Sequence, residues 1–89
     1  MKDSDRPQRR TGFLTQRLDD EVILYDPEQS RALCLNSTAS IIWGLCDGAA
    51  TVADMIELLR EAFPDAGDID RDVSEALEAF SQHAAIIKA

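Results

Sequence analysis

The residues best equipped for chemistry are Cys34, Cys46 and His83. A thiol attacks only as a thiolate, and a thiolate at neutral pH needs a neighbouring cation or base. Neither cysteine has an obvious base beside it in the chain. They stand twelve residues apart, without the C-x-x-C spacing of a redox or zinc pair. One histidine does not complete a tetrahedral metal set. The glycines at 12, 44, 48 and 67 are isolated, so no phosphate-cradling loop is present, and HExxH and GxSxG are also absent. The expectation is a chain that is not an enzyme, with no cofactor and no metal, whose two cysteines are reduced thiols in a cytoplasmic setting.

The remaining chemistry belongs to the main chain. In Arg31-Ala32-Leu33-Cys34-Leu35 only Arg31 is ionic. An edge strand that lacks proline and inward charges leaves its N–H and C=O groups as a template for another strand. An extended peptide can use such an edge. A helix, a loop or a second copy of the chain could equally cover it.

The elements around that strand follow from periodicity. Phe13, Leu14 and Leu18 begin a strand, Asp19-Asp20 signals a turn, and Glu21-Val22-Ile23-Leu24-Tyr25 reads as a second strand. Asp26 to Ser30 is a loop, because Asp and Pro27 favour turns. Residues 31–35 form the third strand. Short connections make adjacent antiparallel pairs, hence a three-stranded meander.

From Asn36 the period changes to 3.6. Asn36 or Ser37 caps a mostly apolar helix that Asp47-Gly48 ends. Thr51 caps a second helix, with Asp54 in a capping-box position, and Val52, Met55, Ile56, Leu59 and Phe63 form its apolar stripe before Pro64 stops it. Asp68 or Asp70 caps a third helix with a stripe of Val73, Leu77, Phe80 and Ala84. Asp72, Ala76, Ala79 and His83 flank that stripe, so a groove between this helix and the open strand would have an apolar floor and an acidic rim. Ile86-Ile87 is an extended tail or short strand. Three strands followed by three helices is an α+β domain, one helical layer on a small sheet.

Composition narrows the partners. The 89 residues carry 9 basic and 17 acidic side chains, a net charge of −8, and are 45% hydrophobic. That hydrophobic share supports a folded domain, while the small size favours one modest core over a deep cleft. The acidic surplus disfavours nucleic acid, which rewards phosphate neutralisation. No stretch is apolar enough to span a membrane or to resemble a signal-peptide core. Residues 1–11 are read as a flexible polar tail and 12–89 as the domain.

The runs Ile23-Leu24-Tyr25-Asp26-Pro27-Glu28, Leu33-Cys34-Leu35-Asn36, Ile41-Ile42-Trp43-Gly44-Leu45-Cys46-Asp47-Gly48 and Thr51-Val52-Ala53-Asp54-Met55-Ile56 together resemble the PqqD family. Phe63-Pro64-Asp65 and Asp72-Val73 extend the resemblance over roughly residues 13–87. It implies a winged helix-turn-helix-like fold that serves as a recognition element for ribosomally synthesised, modified peptides. Such a domain binds the leader of a precursor peptide by strand addition and presents it to a tailoring enzyme, often a radical SAM enzyme. Carried over by position, the implied contacts are Arg31, Ala32, Leu33, Cys34 and Leu35 on the strand and Asp72, Val73, Ala76, Leu77 and Phe80 on the third helix. Asp72 would meet a basic leader residue. The resemblance leaves the chain a monomer or a homodimer. A winged-helix DNA-binding regulator and a self-associating interaction module are the alternatives. One departure stands out: where the family ends its third helix with glycine, this chain reads His83-Ala84-Ala85, which allows a longer last helix.

Overall fold

A computed structural model describes residues 1–19 and 21–88. Five strands and three helices follow in the order β1 (Pro7–Arg9), β2 (Leu14–Leu18), β3 (Glu21–Asp26), β4 (Arg31–Leu35), α1 (Ser37–Leu45), α2 (Val52–Ala62), α3 (Ile69–Gln82) and β5 (Ile86–Lys88). The three-stranded sheet has the order β2-β3-β4 and both pairings are antiparallel. The expected meander and the three helices after it are therefore present. Of the expected Asp19-Asp20 turn, Asp20 lies outside the described residues. The β3–β4 connection is closed by Asp26, whose Oδ1 accepts the N–H groups of Glu28 at 3.0 Å and Gln29 at 3.4 Å.

Each helix begins where a polar side chain satisfies an otherwise unpaired N–H. Asn36 Oδ1 accepts from Ala39 N at 2.8 Å. Thr51 and Asp54 form a reciprocal capping box, with bonds of 3.1 and 3.0 Å. Asp68, rather than Asp70, caps α3 by accepting from Arg71 N. The apolar stripes of the three helices join Leu24 and Leu35 of the sheet in one core, with α1 lying directly against β3 and β4. Leu24, Leu35, Ile42, Met55, Leu59, Val73 and Phe80 are each 2% exposed or less and form the centre of the core. Trp43 bridges the layers, edge-on to Phe80 at 5.2 Å and to Phe13 at 6.2 Å between ring centroids.

The expectation of a free tail over residues 1–11 does not describe the N-terminal segment. Pro7–Arg9 pairs antiparallel with Ile86–Lys88, and Pro7 is fully buried. Val52 N donates to the Asp5 carbonyl and Ala53 N to the Asp3 carbonyl, both at 3.0 Å, so this segment caps the start of α2. Arg9 Nη1 reaches the carbonyls of Trp43 at 2.9 Å and Gly44 at 2.8 Å, satisfying the end of α1. Gly48, at φ 80, turns the chain so that its N–H meets the Pro7 carbonyl. The polar surface of the segment hid these roles, because its main chain makes most of the bonds.

The last helix does not run longer. It ends at Gln82, and Ala84 takes φ 53. Ala84 N donates to Ser81 O and Ala85 N to Phe80 O, the bond pattern of a Schellman close with alanine in the place that glycine usually fills. The chain then leaves as β5.

Candidate functional site

Strand β4 is an edge. Its inner neighbour is β3, and among the described residues no segment pairs with its other side. Alternation divides its side chains. Leu33 and Leu35 face the core, with Leu35 buried and Leu33 half-buried, while Ala32 and Cys34 are exposed on the opposite face and Arg31 is exposed at the strand's start. The free groups are therefore main-chain donors and acceptors, flanked by small or apolar side chains.

The strand runs directly into Asn36 and the start of α1. There a groove of about 240 Å³ lies between α1 and α3, lined by Asn36, Thr38, Ala39, Asp72, Glu75 and Ala76. The small side chains Ala39 and Ala76 leave the floor open. Asp72 and Glu75 make an acidic rim, and Glu75 accepts from Arg71 Nε at 3.0 Å. The Glu75 carboxylate raises the Arg71 pKa further. Arg60 pairs with Asp70 beyond the groove. Both pairs are exposed, and such pairs contribute little to stability.

The candidate residues thus separate. Arg31, Ala32, Leu33, Cys34 and Leu35 lie along the open strand, and Asp72 and Ala76 line the groove at its end. Val73, Leu77 and Phe80 do not reach its surface; at 0%, 3% and 0% exposure they are core residues. Asn36, Thr38, Ala39 and Glu75 complete the groove. The capping pattern of Asn36 places the start of α1 beside the strand's end, which was a usable signal for the first three. The acidic rim is as expected, but α1 rather than the strand supplies the opposite wall.

The reactive side chains are dispersed. Cys34 is an exposed free thiol and Cys46 a buried one. Cys46 Sγ donates to the Ile42 carbonyl at 3.2 Å, and burial pushes its pKa up to about 12. His83 caps the end of α3 through its main-chain N–H. Asp47 is held below the usual carboxylate range by the N–H groups of Ala49 and Ala50, a turn-forming role. Among the described residues no group of His, Cys, Asp and Glu is placed to hold a metal ion. No helix of the described residues is long and apolar enough to cross a membrane.

Comparison with known proteins finds relatives in both sequence and fold. A family model described as "Coenzyme PQQ synthesis protein D (PqqD)" matches residues 21–86. A PqqA binding protein of Kluyvera intermedia is 38% identical over 82 residues, covering 89% of this chain and 86% of that protein. A PqqA binding protein of Klebsiella pneumoniae (strain 342) is 42% identical over 64 residues, 72% of this chain and just under two thirds, 66%, of the relative. Among solved structures, lasso peptide synthetase B1 complexed with the leader peptide superposes with a TM-score of 0.76 at 18% identity, covering 92% of this chain and 98% of that one. TbiB1 in complex with the TbiA(beta) leader peptide gives 0.70 at 18% identity, covering 89% and 93%. At that identity the likeness is one of fold, and it places the three-stranded sheet and three helices among winged-helix-like domains.

Proposed function

The chain belongs to the PqqD family, and from that premise we propose that it captures the leader of a ribosomally synthesised precursor peptide and presents it to a tailoring enzyme. The observation that carries this reading is the open β4 edge ending at the α1–α3 groove. An extended leader adds to β4 as a fourth strand. Main-chain hydrogen bonds along Arg31–Leu35 give affinity that is largely blind to sequence, and the groove reads one or two side chains. The relatives' names, PqqA binding protein, support a peptide of that kind as the ligand.

The role is non-catalytic. Binding needs no nucleophile, and the thiols and His83 are scattered across different elements. The tailoring enzyme, a radical SAM enzyme or another peptide-modifying catalyst, supplies the chemistry, and the setting is the reducing cytoplasm. Val73, Leu77 and Phe80 act from beneath, by holding α3 in place. Asp72 favours a basic side chain in the leader.

A DNA-binding role is disfavoured by charge. The exposed faces of α2 and α3 carry Asp54, Glu57, Glu61, Asp72, Glu75 and Glu78 against Arg60 and Arg71, and phosphate is repelled there.

Calorimetric titration of a PqqA-type precursor peptide tests the reading. Saturable one-to-one binding that is weakened at least tenfold by Cys34→Pro, a substitution that disrupts the main-chain donors of β4, is expected. Absence of binding, alone and with the tailoring enzyme present, contradicts it.

A further inference from the structure

Main-chain pairing along β4 does not by itself decide which residue of an added strand lies opposite which, because every residue offers the same N–H and C=O groups. Register is set where one face of the strand meets something that reads side chains. On this edge that is the helical face. Leu33 and Leu35 point that way, and just past Leu35 the chain enters the groove between α1 and α3.

The groove specifies its occupant. Its volume of about 240 Å³ lies below the roughly 300 Å³ at which pockets for drug-sized ligands begin, and leaves room for one long side chain. Ala39 and Ala76, both half-buried, give it an apolar floor. Glu75 is bonded to Arg71 Nε at 3.0 Å, while the Asp72 carboxylate makes no ion pair or hydrogen bond among the described residues. An unbranched stem that covers the two alanines and ends in a cation at Asp72 fits this arrangement, and Lys and Arg have that form. A carboxylate would meet like charge, and a short aliphatic side chain would leave Asp72 unpaired.

Resting on the peptide-binding reading, we infer that one basic side chain of the leader, seated in this groove, fixes the register in which the leader pairs with β4. A slip by one residue turns that side chain to the opposite face of the sheet. A slip by two moves it about 7 Å along the strand. In one direction this sets the charge beside half-buried Leu33, away from both carboxylates; in the other it leaves the paired segment. Discrimination comes from what the wrong registers lose. The fixed register in turn sets how many residues separate the domain from the part of the precursor that is modified, so the groove measures out the tether.

The net charge of −8 attracts any basic peptide, so the test is positional. The full chain is titrated calorimetrically with a PqqA-type precursor peptide and with variants in which each Lys or Arg of the leader becomes Met in turn; Met keeps an unbranched stem and removes the charge. One such substitution is expected to weaken binding at least tenfold and the others by less than about twofold. Shifting that basic residue by one position in either direction is expected to cost as much as removing it. Asp72→Lys, at an exposed position, is expected to bind the parent peptide at least tenfold more weakly and to regain at least fivefold when the critical basic residue becomes Glu. Circular dichroism reports folding, and Asp72→Asn replaces Asp72→Lys if the latter is unfolded, with an expected loss of at least fivefold and no further loss on the critical Met substitution. Saturable parent binding in which no single basic residue matters, or in which the shifted residue binds as well, overturns the inference and leaves the peptide reading standing. An Asp72 variant with parental affinity overturns it as well. Failure of the parent chain to bind the parent peptide removes the peptide reading, and this inference with it.

Discussion

Trp43 meets Phe80 edge to face, with 5.2 Å between ring centroids, and this contact ties α1 to α3 on either side of the groove. Phe80 is fully buried, so its service to the site is positional. The ring holds the Asp72–Ala76 face of α3 opposite Thr38 and Ala39. Truncating it leaves a cavity beside Trp43, between α1 and α3.

Phe80→Ala is therefore expected to cost about 3–5 kcal/mol of stability. For a domain of this size that is a large part of the whole. Urea unfolding followed by Trp43 fluorescence measures it. A loss below about 1 kcal/mol would show that Phe80 is not a core residue.

Ala84 sits at φ 53, a conformation that costs an L-residue roughly 1–2 kcal/mol. Ala84→Gly removes that strain and adds some unfolded-chain entropy. The net expectation is stabilisation by about 0.5–1 kcal/mol, read as a higher urea midpoint with unchanged slope. Ala84→Val, branched at the same φ, is expected to destabilise.

Residues 3–9 cap two helices and pair with β5. Removing residues 1–10 deletes all of these bonds at once. A fall in Tm of roughly 10 °C or more is expected, since each kcal/mol shifts a domain of this size by about 4–8 °C. Arg9→Ala alone, losing only the two bonds to Trp43 and Gly44, is expected to fall by less. An unchanged Tm on deletion would make the segment dispensable.

The two thiols are expected to behave differently. Cys34 is exposed and Cys46 is buried with its pKa near about 12. Between pH 7 and 9 an aromatic disulfide reagent should label one thiol quickly and the second only on unfolding. The sign for stability follows from the same shift. An ordinary thiol at 9.0 ionises first in the unfolded chain, so the contribution of the neutral buried thiol is present below pH 9 and is lost as pH rises toward about 12. Cys46→Ala should flatten that alkaline limb.

Local signals were legible and long-range ones were not. Thr51 and Asp54 announce their capping box within four residues, and the uncharged run from Ala32 to Leu35 announces an edge that could accept a strand. The stripe of Val73, Leu77 and Phe80 announces an apolar helix face, but periodicity does not say whether a core or a ligand covers it. Here the core does. Pro7–Arg9 gives no local signal, because its partners are Ile86–Lys88 and its contribution is main-chain pairing. The Asn36 cap announces where α1 begins beside the strand's end, but not that α1 faces α3: Thr38 and Asp72 are brought together only by packing.

In the proposed complex a leader peptide becomes the fourth strand on β4. Amide hydrogen exchange resolved by NMR at each residue of Arg31–Leu35, with and without a PqqA-type precursor peptide, tests it most directly. Pairing on the free side should slow exchange of the outward-pointing N–H groups of β4, at alternate positions, while β2 stays unchanged. Saturable binding with no added protection anywhere in Arg31–Leu35 would contradict it.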